Sequence, residues 1–174
     1  MIVKETKRNG FSLIELIVVV VIMAIILSIA IPQMSKYIEK YNVEKEINSL
    51  QSTLISLRYK AMNSGIPYGI RFDSSKQYTT FEFNDKNYNL KFDGVDEEAN
   101  KQIVKLKYDI HKKGSNQIAG FVLLFDKNGF PKNQDWGIGN LTLYINYEAA
   151  YNCLTVSSVR IETGVWKDGD CKVK

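Results

Sequence analysis

Two hydrophobic periods divide the chain. Residues 16–31 read LIVVVVIMAIILSIAI, with Ser28 the only polar side chain, and Phe11 to Ile14 extend the run across one carboxylate, Glu15, to 21 residues ending at Ile31. A helix rises about 1.5 Å per residue, so this stretch spans roughly 30 Å, the hydrocarbon thickness of a bilayer. A buried helix of a small domain would show a polar face, and this one shows none; residues 11–32 are therefore predicted to be a transmembrane helix. Beyond Pro32, apolar residues recur at steps of mainly three or four: Met34, Tyr37, Ile38, Tyr41, Ile47, Leu50, Leu54, Leu57 and Ala61, with one longer gap at Val43 to Ile47. Lys36, Glu39, Lys40, Glu44, Lys45 and Glu46 fill the positions between. This predicts an amphipathic stalk helix over residues 33–65, its stripe packed on a core rather than lining a ligand groove. Asn63, Ser64, Gly65 and Pro67 stop it. Pro32 lacks an N–H and clashes with the preceding turn, so a kink is expected there.

Residues 66–174 change to a period of two. Alternation and β-branched or aromatic enrichment predict strands at 68–73, 77–83, 88–92, 103–110, 120–125, 141–147 and 154–162. Asp73–Ser75, Asn84–Asn87, Lys113–Asn116 and Lys127–Gly129 separate them with Asn and Gly, which tolerate positive φ. Gly94–Asn100 reads as a loop or a single helical turn. The expected fold class is α+β, a long N-terminal membrane and stalk helix packed on an antiparallel β-sheet domain.

Composition narrows the chemistry. At 45% hydrophobic and 24% charged, the 174 residues fit a folded protein, and a net charge of +4 does not suggest a dedicated nucleic-acid binder. One His and two Cys leave little for a zinc site or a Cys–His pair. His111, beside Lys112 and Lys113, reads as a solvated strand end, and Asp126–Gly129 as a tight turn rather than a calcium loop. No G-x-S-x-G elbow or phosphate-cradling glycine loop occurs, so neither a catalytic residue nor a cofactor nor a metal is expected. The charge is also unevenly placed. Lys4, Lys7 and Arg8 stand against Glu5 before the apolar run, which puts the N-terminus in the cytoplasm by the positive-inside rule. The sequence after Ile31, PQMSKYIEKY, offers no A-x-A-like signal-peptidase site. Cys153 and Cys171 fall on the translocated side, where thiols oxidise; a disulfide closing that loop is worth roughly 3 kcal/mol, two free thiols being the alternative. Glu15 is costly, about 2.5–3.5 kcal/mol for a charge at mid-membrane, and so marks a function by default.

Lys7-Arg8-Asn9-Gly10-Phe11-Ser12-Leu13-Ile14-Glu15, followed by the apolar run and Pro32, resembles the class III leader of type IV pilins and type II secretion pseudopilins. The resemblance implies a pilin-like fold and a leader over residues 1–10. It implies cleavage by a prepilin peptidase between Gly10 and Phe11, N-methylation of Phe11, and pairing of Glu15 with the terminal amine of a neighbouring subunit. The implied partners are other pilin or pseudopilin subunits, an inner-membrane assembly platform and the lipid bilayer. The implied location is the cytoplasmic membrane with an extracytoplasmic C-terminal domain, then a surface or periplasmic filament. Ala24 stands where many major pilins carry glycine, so local helix melting is less expected. Cleavage would remove three basic and one acidic side chain, leaving 20 and 18, a net charge of +2.

A second resemblance covers later segments. Ser49–Arg58, Lys60–Met62, Tyr68–Asp73 (YGIRFD), Val122–Pro131 (VLLFDKNGFP) and Cys153–Gly164 are similar to the GspH/FimT-like minor pilins. The implied function is a structural minor pilin or pseudopilin of a type IV pilus or type II secretion system. Such proteins in transformable bacteria are thought to contact DNA through a glycine and paired arginines; here the matching residues are Gly164–Asp170 (GVWKDGD). A DNA contact would fall to Arg160, Trp166 and Lys167, but Asp168 and Asp170 cancel much of the cationic charge that phosphates need. DNA binding is thus the alternative, not the favoured reading, and an uncleaved membrane-anchored domain is a second alternative.

Overall fold

The computed structural model describes residues 12–84, 86, 97–115, 117–133 and 140–173. The chain divides into two compact units, Met1–Glu39 and Lys40–Lys174, and one helix, α1 (Leu13–Ser64, 52 residues), runs through both.

In the first unit α1 is exposed at every residue, including Leu13 to Ile31 of the apolar run. The helix satisfies its polar groups internally, as an element in hydrocarbon must: Ser28 Oγ donates to Ile25 O at 2.7 Å and Ser35 Oγ to Ile31 O at 3.3 Å. Pro32 lies inside the helix, which is assigned without a break across it. The segment is long and apolar enough to cross a membrane.

In the second unit α1 buries Val43, Ile47, Leu50, Leu54, Leu57 and Ala61, at steps of four and three. The predicted stripe needs correction at its start: Met34, Tyr37, Ile38 and Tyr41 are exposed and Val43, passed over as a gap, is fully buried. Tyr41 precedes Val43 by two residues and so lies about 160° around the helix from it. Two stripes of different phase were read as one.

Ten strands follow among the described residues, in two antiparallel five-stranded sheets. The first contains β1 (Tyr68–Ser74), β2 (Gln77–Asn84), β3 (Glu97–Lys105), β5 (Val122–Phe125) and β6 (Pro131–Asn133), in the order β3-β2-β1-β5-β6. The second contains β4 (Ile110–Lys112), β7 (Leu141–Ile145), β8 (Cys153–Val156), β9 (Ile161–Lys167) and β10 (Asp170–Val173), in the order β10-β9-β8-β7-β4. Both feed one core with α1: Ile70, Phe72, Tyr78, Leu123 and Phe125 from the first sheet, Leu141, Leu143, Ile145, Leu154 and Val156 from the second. Phe81, Phe83, Val122 and Leu124 form a separate buried cluster. Gly69 is needed beside it, since an added Cβ would lie 2.5 Å from Leu124 Cδ2 and 2.9 Å from Phe81 Cζ.

Several expected strands change. The expected strand at 88–92 lies outside the described residues, as do 94–96. Glu97–Asn100, expected as loop or helical turn, begins β3. This is an edge strand, where the charges of Lys101 and Lys105 reach solvent while Glu98 is covered and paired with Arg71 and Lys101. The expected strand 103–110 is two strands in different sheets. Between them Glu46 of α1 accepts hydrogen bonds from Lys107 N at 2.6 Å and Tyr108 N at 3.2 Å. The expected strand 154–162 is likewise two, β8 and β9, folded back through Ser157, whose N–H donates to Arg160 O at 2.8 Å. β6 and β10 were not expected; each is only 3 or 4 residues long, too short to show a period.

Candidate functional site

Gly10 and Phe11 lie outside the described residues. Glu15 occupies the first turn of α1, where a carboxylate is favoured by the helix dipole, and it is exposed among Leu13, Ile14, Leu16 and Ile17. Among the described residues this is an apolar surface without an inward partner, carrying one anionic group near its start.

The C-terminal end of the domain is built differently. Cys153 and Cys171 are joined as a disulfide with Cα atoms 5.9 Å apart, as expected for the translocated side. They belong to β8 and β10, which β9 separates, so β10 has to approach β8 over the face of β9. Gly164 of β9 makes this feasible: a Cβ there would lie 2.3 Å from Lys172 O and 2.9 Å from Val173 Cα. Asp168 and Gly169 join β9 to β10 with φ of +55° and +74°, the pair of positive values a two-residue type I′ hairpin requires.

Noncovalent contacts hold the same hairpin. The Trp166 ring stacks on Tyr144 of β7 at 3.9 Å with planes 2° apart, and His111 of β4 stacks on Tyr144 at 5.3 Å. Asp170 Oδ1 accepts from Lys113 Nζ at 2.8 Å. That lysine, then the Cys171 N–H, hold the Asp170 carboxyl below the usual carboxylate range. Asn152, 5% exposed, uses all four of its polar groups. Its Oδ1 accepts from Trp166 N at 2.6 Å, its Nδ2 donates to Tyr147 O at 2.8 Å, its N–H donates to Gly164 O at 3.1 Å, and its carbonyl accepts from Ile145 N at 2.8 Å. A buried amide so fully used fixes backbone position.

The residues named for a DNA contact are engaged separately. Arg160 Nη1 lies 3.4 Å from Glu162 Oε1 in the β8–β9 turn. Trp166 gives one ring face to Tyr144, and Lys167, its neighbour in a strand, is exposed and projects from the opposite side. His111 is a ring-stacked strand residue rather than a purely solvated end. Asp126 Oδ1 accepts from Asn128 N and Phe130 N, both at 2.9 Å, so the Asp126–Gly129 segment is the tight turn expected. Tyr144, Asn152 and Gly164 were not singled out from sequence as structural. Only Gly164 carried a signal, a glycine inside a strand pattern marking close backbone approach.

On the first sheet Arg71 pairs with Asp73 at 3.0 Å and with Glu98, which also meets Lys101 at 2.9 Å. Burial raises the Asp73 carboxyl, but hydrogen bonds from Thr79 at 2.6 Å and from Arg71 outweigh it and hold the group low. This is a self-neutralising network. Among the described residues no group of His, Cys, Asp and Glu is arranged to hold a metal ion.

Residues 6–31 match the family model of the prokaryotic N-terminal methylation motif. No curated protein and no solved structure matches the chain. That motif stands at the start of a chain whose 52-residue helix and antiparallel sheets have a pilin-like α+β architecture.

Proposed function

We propose that the chain is a structural minor pilin or pseudopilin subunit. It is held in the inner membrane after export, cut by prepilin peptidase between Gly10 and Phe11, methylated at Phe11, and polymerised through α1. The observation that carries this reading is the methylation motif over residues 6–31, together with a helix whose apolar residues 13–31 are not buried by any other of the described residues. Apolar surface of that extent is stable only in lipid or against other apolar helices. Moving from one to the other costs little, since lipid tails and neighbouring helices are similarly apolar. Glu15 supplies what such an exchange lacks, namely register. A carboxylate in hydrocarbon is expensive until it meets a cation, and the amine of a processed Phe11 in an adjacent subunit is such a cation.

Its role is structural rather than enzymatic, with other pilin-type subunits, the peptidase and the assembly platform as partners. The similarity to GspH/FimT-like minor pilins over residues 49–58, 60–62, 68–73, 122–131 and 153–164 favours a minor subunit. N-terminal sequencing of membrane-extracted protein tests the processing step: the chain is expected to begin at methylated Phe11, and a chain beginning at Met1 refutes it. Glu15→Ala tests assembly: membrane insertion is retained and incorporation into filaments falls to background. Normal incorporation of that variant would refute the register role.

A further inference from the structure

The C-terminal end of α1 carries an apolar surface that the core does not use. Val159 is 71% exposed and Tyr59 61%, and Met62 and Phe130 are also exposed. They are brought together by two turns that lie against the helix end. Arg58 Nη1 donates to Val159 O at 2.8 Å, holding the 157–160 turn beside the helix. Gly129 sits so close that an added Cβ would lie 2.7 Å from Met62 Sδ and 3.2 Å from Arg58 Cγ, which places the 127–130 turn against the same helix end. Between α1 and the first of these turns is an open cleft of about 360 Å³ lined by Ile55, Arg58, Tyr59, Met62, Val159 and Ile161. A cleft of this size admits an apolar side chain from a partner.

The charge at its rim has one sign in excess. Arg58 lines the cleft, and Lys127 and Arg160 belong to the two turns beside it, three cations against Asp126 and Glu162. Among the described residues neither Arg58 nor Lys127 has a carboxylate partner, and Arg160 has only the partly exposed Glu162 at 3.4 Å. Asp126, the other acid nearby, keeps its charge but holds its Oδ1 to the backbone of its own turn, so the cations exceed the acids by one. An apolar centre of Tyr and Met under an arginine and lysine rim is the pattern of a protein contact in which aromatic and Arg side chains anchor. A nucleic acid would instead favour a continuous cationic track with aromatic faces free for bases.

We infer that this surface docks an acidic segment of another protein, which inserts an apolar side chain into the cleft and sets its carboxylates on Arg58, Lys127 and Arg160. The inference uses residues 55–162 alone and does not depend on how the N-terminal helix is used. It is tested in the full chain, expressed in its source cells, with a photoreactive benzophenone amino acid replacing Val159. On illumination, the expected adduct is a second protein, cross-linked within a segment holding at least two Asp or Glu in about six residues. The charge reversal Lys127→Glu/Arg160→Glu is expected to lower adduct yield about tenfold, and the charge-retaining Lys127→Arg/Arg160→Lys to leave it unchanged. Membrane level and the disulfide, read by non-reducing mobility, should be the same in all variants. No adduct overturns the inference, as does cross-linking to nucleic acid, to lipid, to a basic segment or to another copy of this chain. A yield indifferent to the charge reversal, or lost equally in the charge-retaining variant, also overturns it.

Discussion

Residues 13–39 and 43–61 belong to one helix and draw on the same aliphatic side chains, yet they stand in opposite relations to water. The first set is exposed throughout, whereas Val43, Ile47, Leu50, Leu54 and Ala61 are wholly excluded from solvent by two sheets. The difference lies in pattern rather than in residue type. An all-round apolar helix cannot be covered by a single domain and requires an apolar surrounding. A one-sided stripe needs only a sheet and leaves its other faces for solvent. One part of α1 thus depends on what surrounds the chain, and the other on what the chain itself supplies.

The sharpest way to break that comparison is truncation at matched positions. Leu54→Ala is expected to lower the unfolding free energy of the domain by about 2–5 kcal/mol, read by denaturant titration in micelles. Ile22→Ala, equally apolar but outside the domain core, is expected to leave that unfolding curve unmoved. A shift of similar size from Ile22→Ala would show that the two stretches are not energetically separate. Next in size is the disulfide. Cys153→Ser/Cys171→Ser is expected to cost roughly 3 kcal/mol of domain stability while membrane insertion of the helix is unaffected. The smallest effect is that of pH on the Lys113–Asp170 bridge. Asp170 is held below the usual carboxylate range, so it binds protons more readily unfolded than folded. Its contribution is present above an unfolded pKa of about 3.9 and is lost as pH falls through the lower folded value. Asp170→Asn should flatten the acid limb of a stability–pH profile relative to the parent chain, and the difference should shrink in salt.

The sequence carried the parts of this molecule that repeat. The uninterrupted apolar run and the 3–4 spacing from Ile47 to Ala61 are each many residues long, and both lie in the helix Leu13–Ser64. The hairpins at Ser74–Gln77 and Asp126–Gly129 were legible from turn chemistry. What was not legible depended on a single residue or on distant pairing. Val159 looks like a strand residue in LTVSSVRIE, but Ser157 closes a turn around it. The assignment of Ile103–Lys105 to one sheet and Ile110–Lys112 to another rests on long-range registers, Thr79↔Ile103 and Ile110↔Ile145. The surface around Val159 followed the same rule. Its residues come from three segments, 55–62, 127–130 and 157–161, that are not adjacent in sequence.

The fastening of the final hairpin has a further consequence. β10 is an edge strand, and an unpaired edge is a template on which identical chains can add strands to one another. That hazard grows when many copies are held together in the plane of a membrane, in one orientation and at high local concentration. A covalent link to β8, a ring stack across to β7 and an ion pair to Lys113 fasten β9 and β10 to their own sheet. They thereby remove a flat, open margin from display. The hairpin makes the domain a poor partner for its own copies along that margin, so that subunits crowded side by side can meet through other surfaces without their sheets fusing.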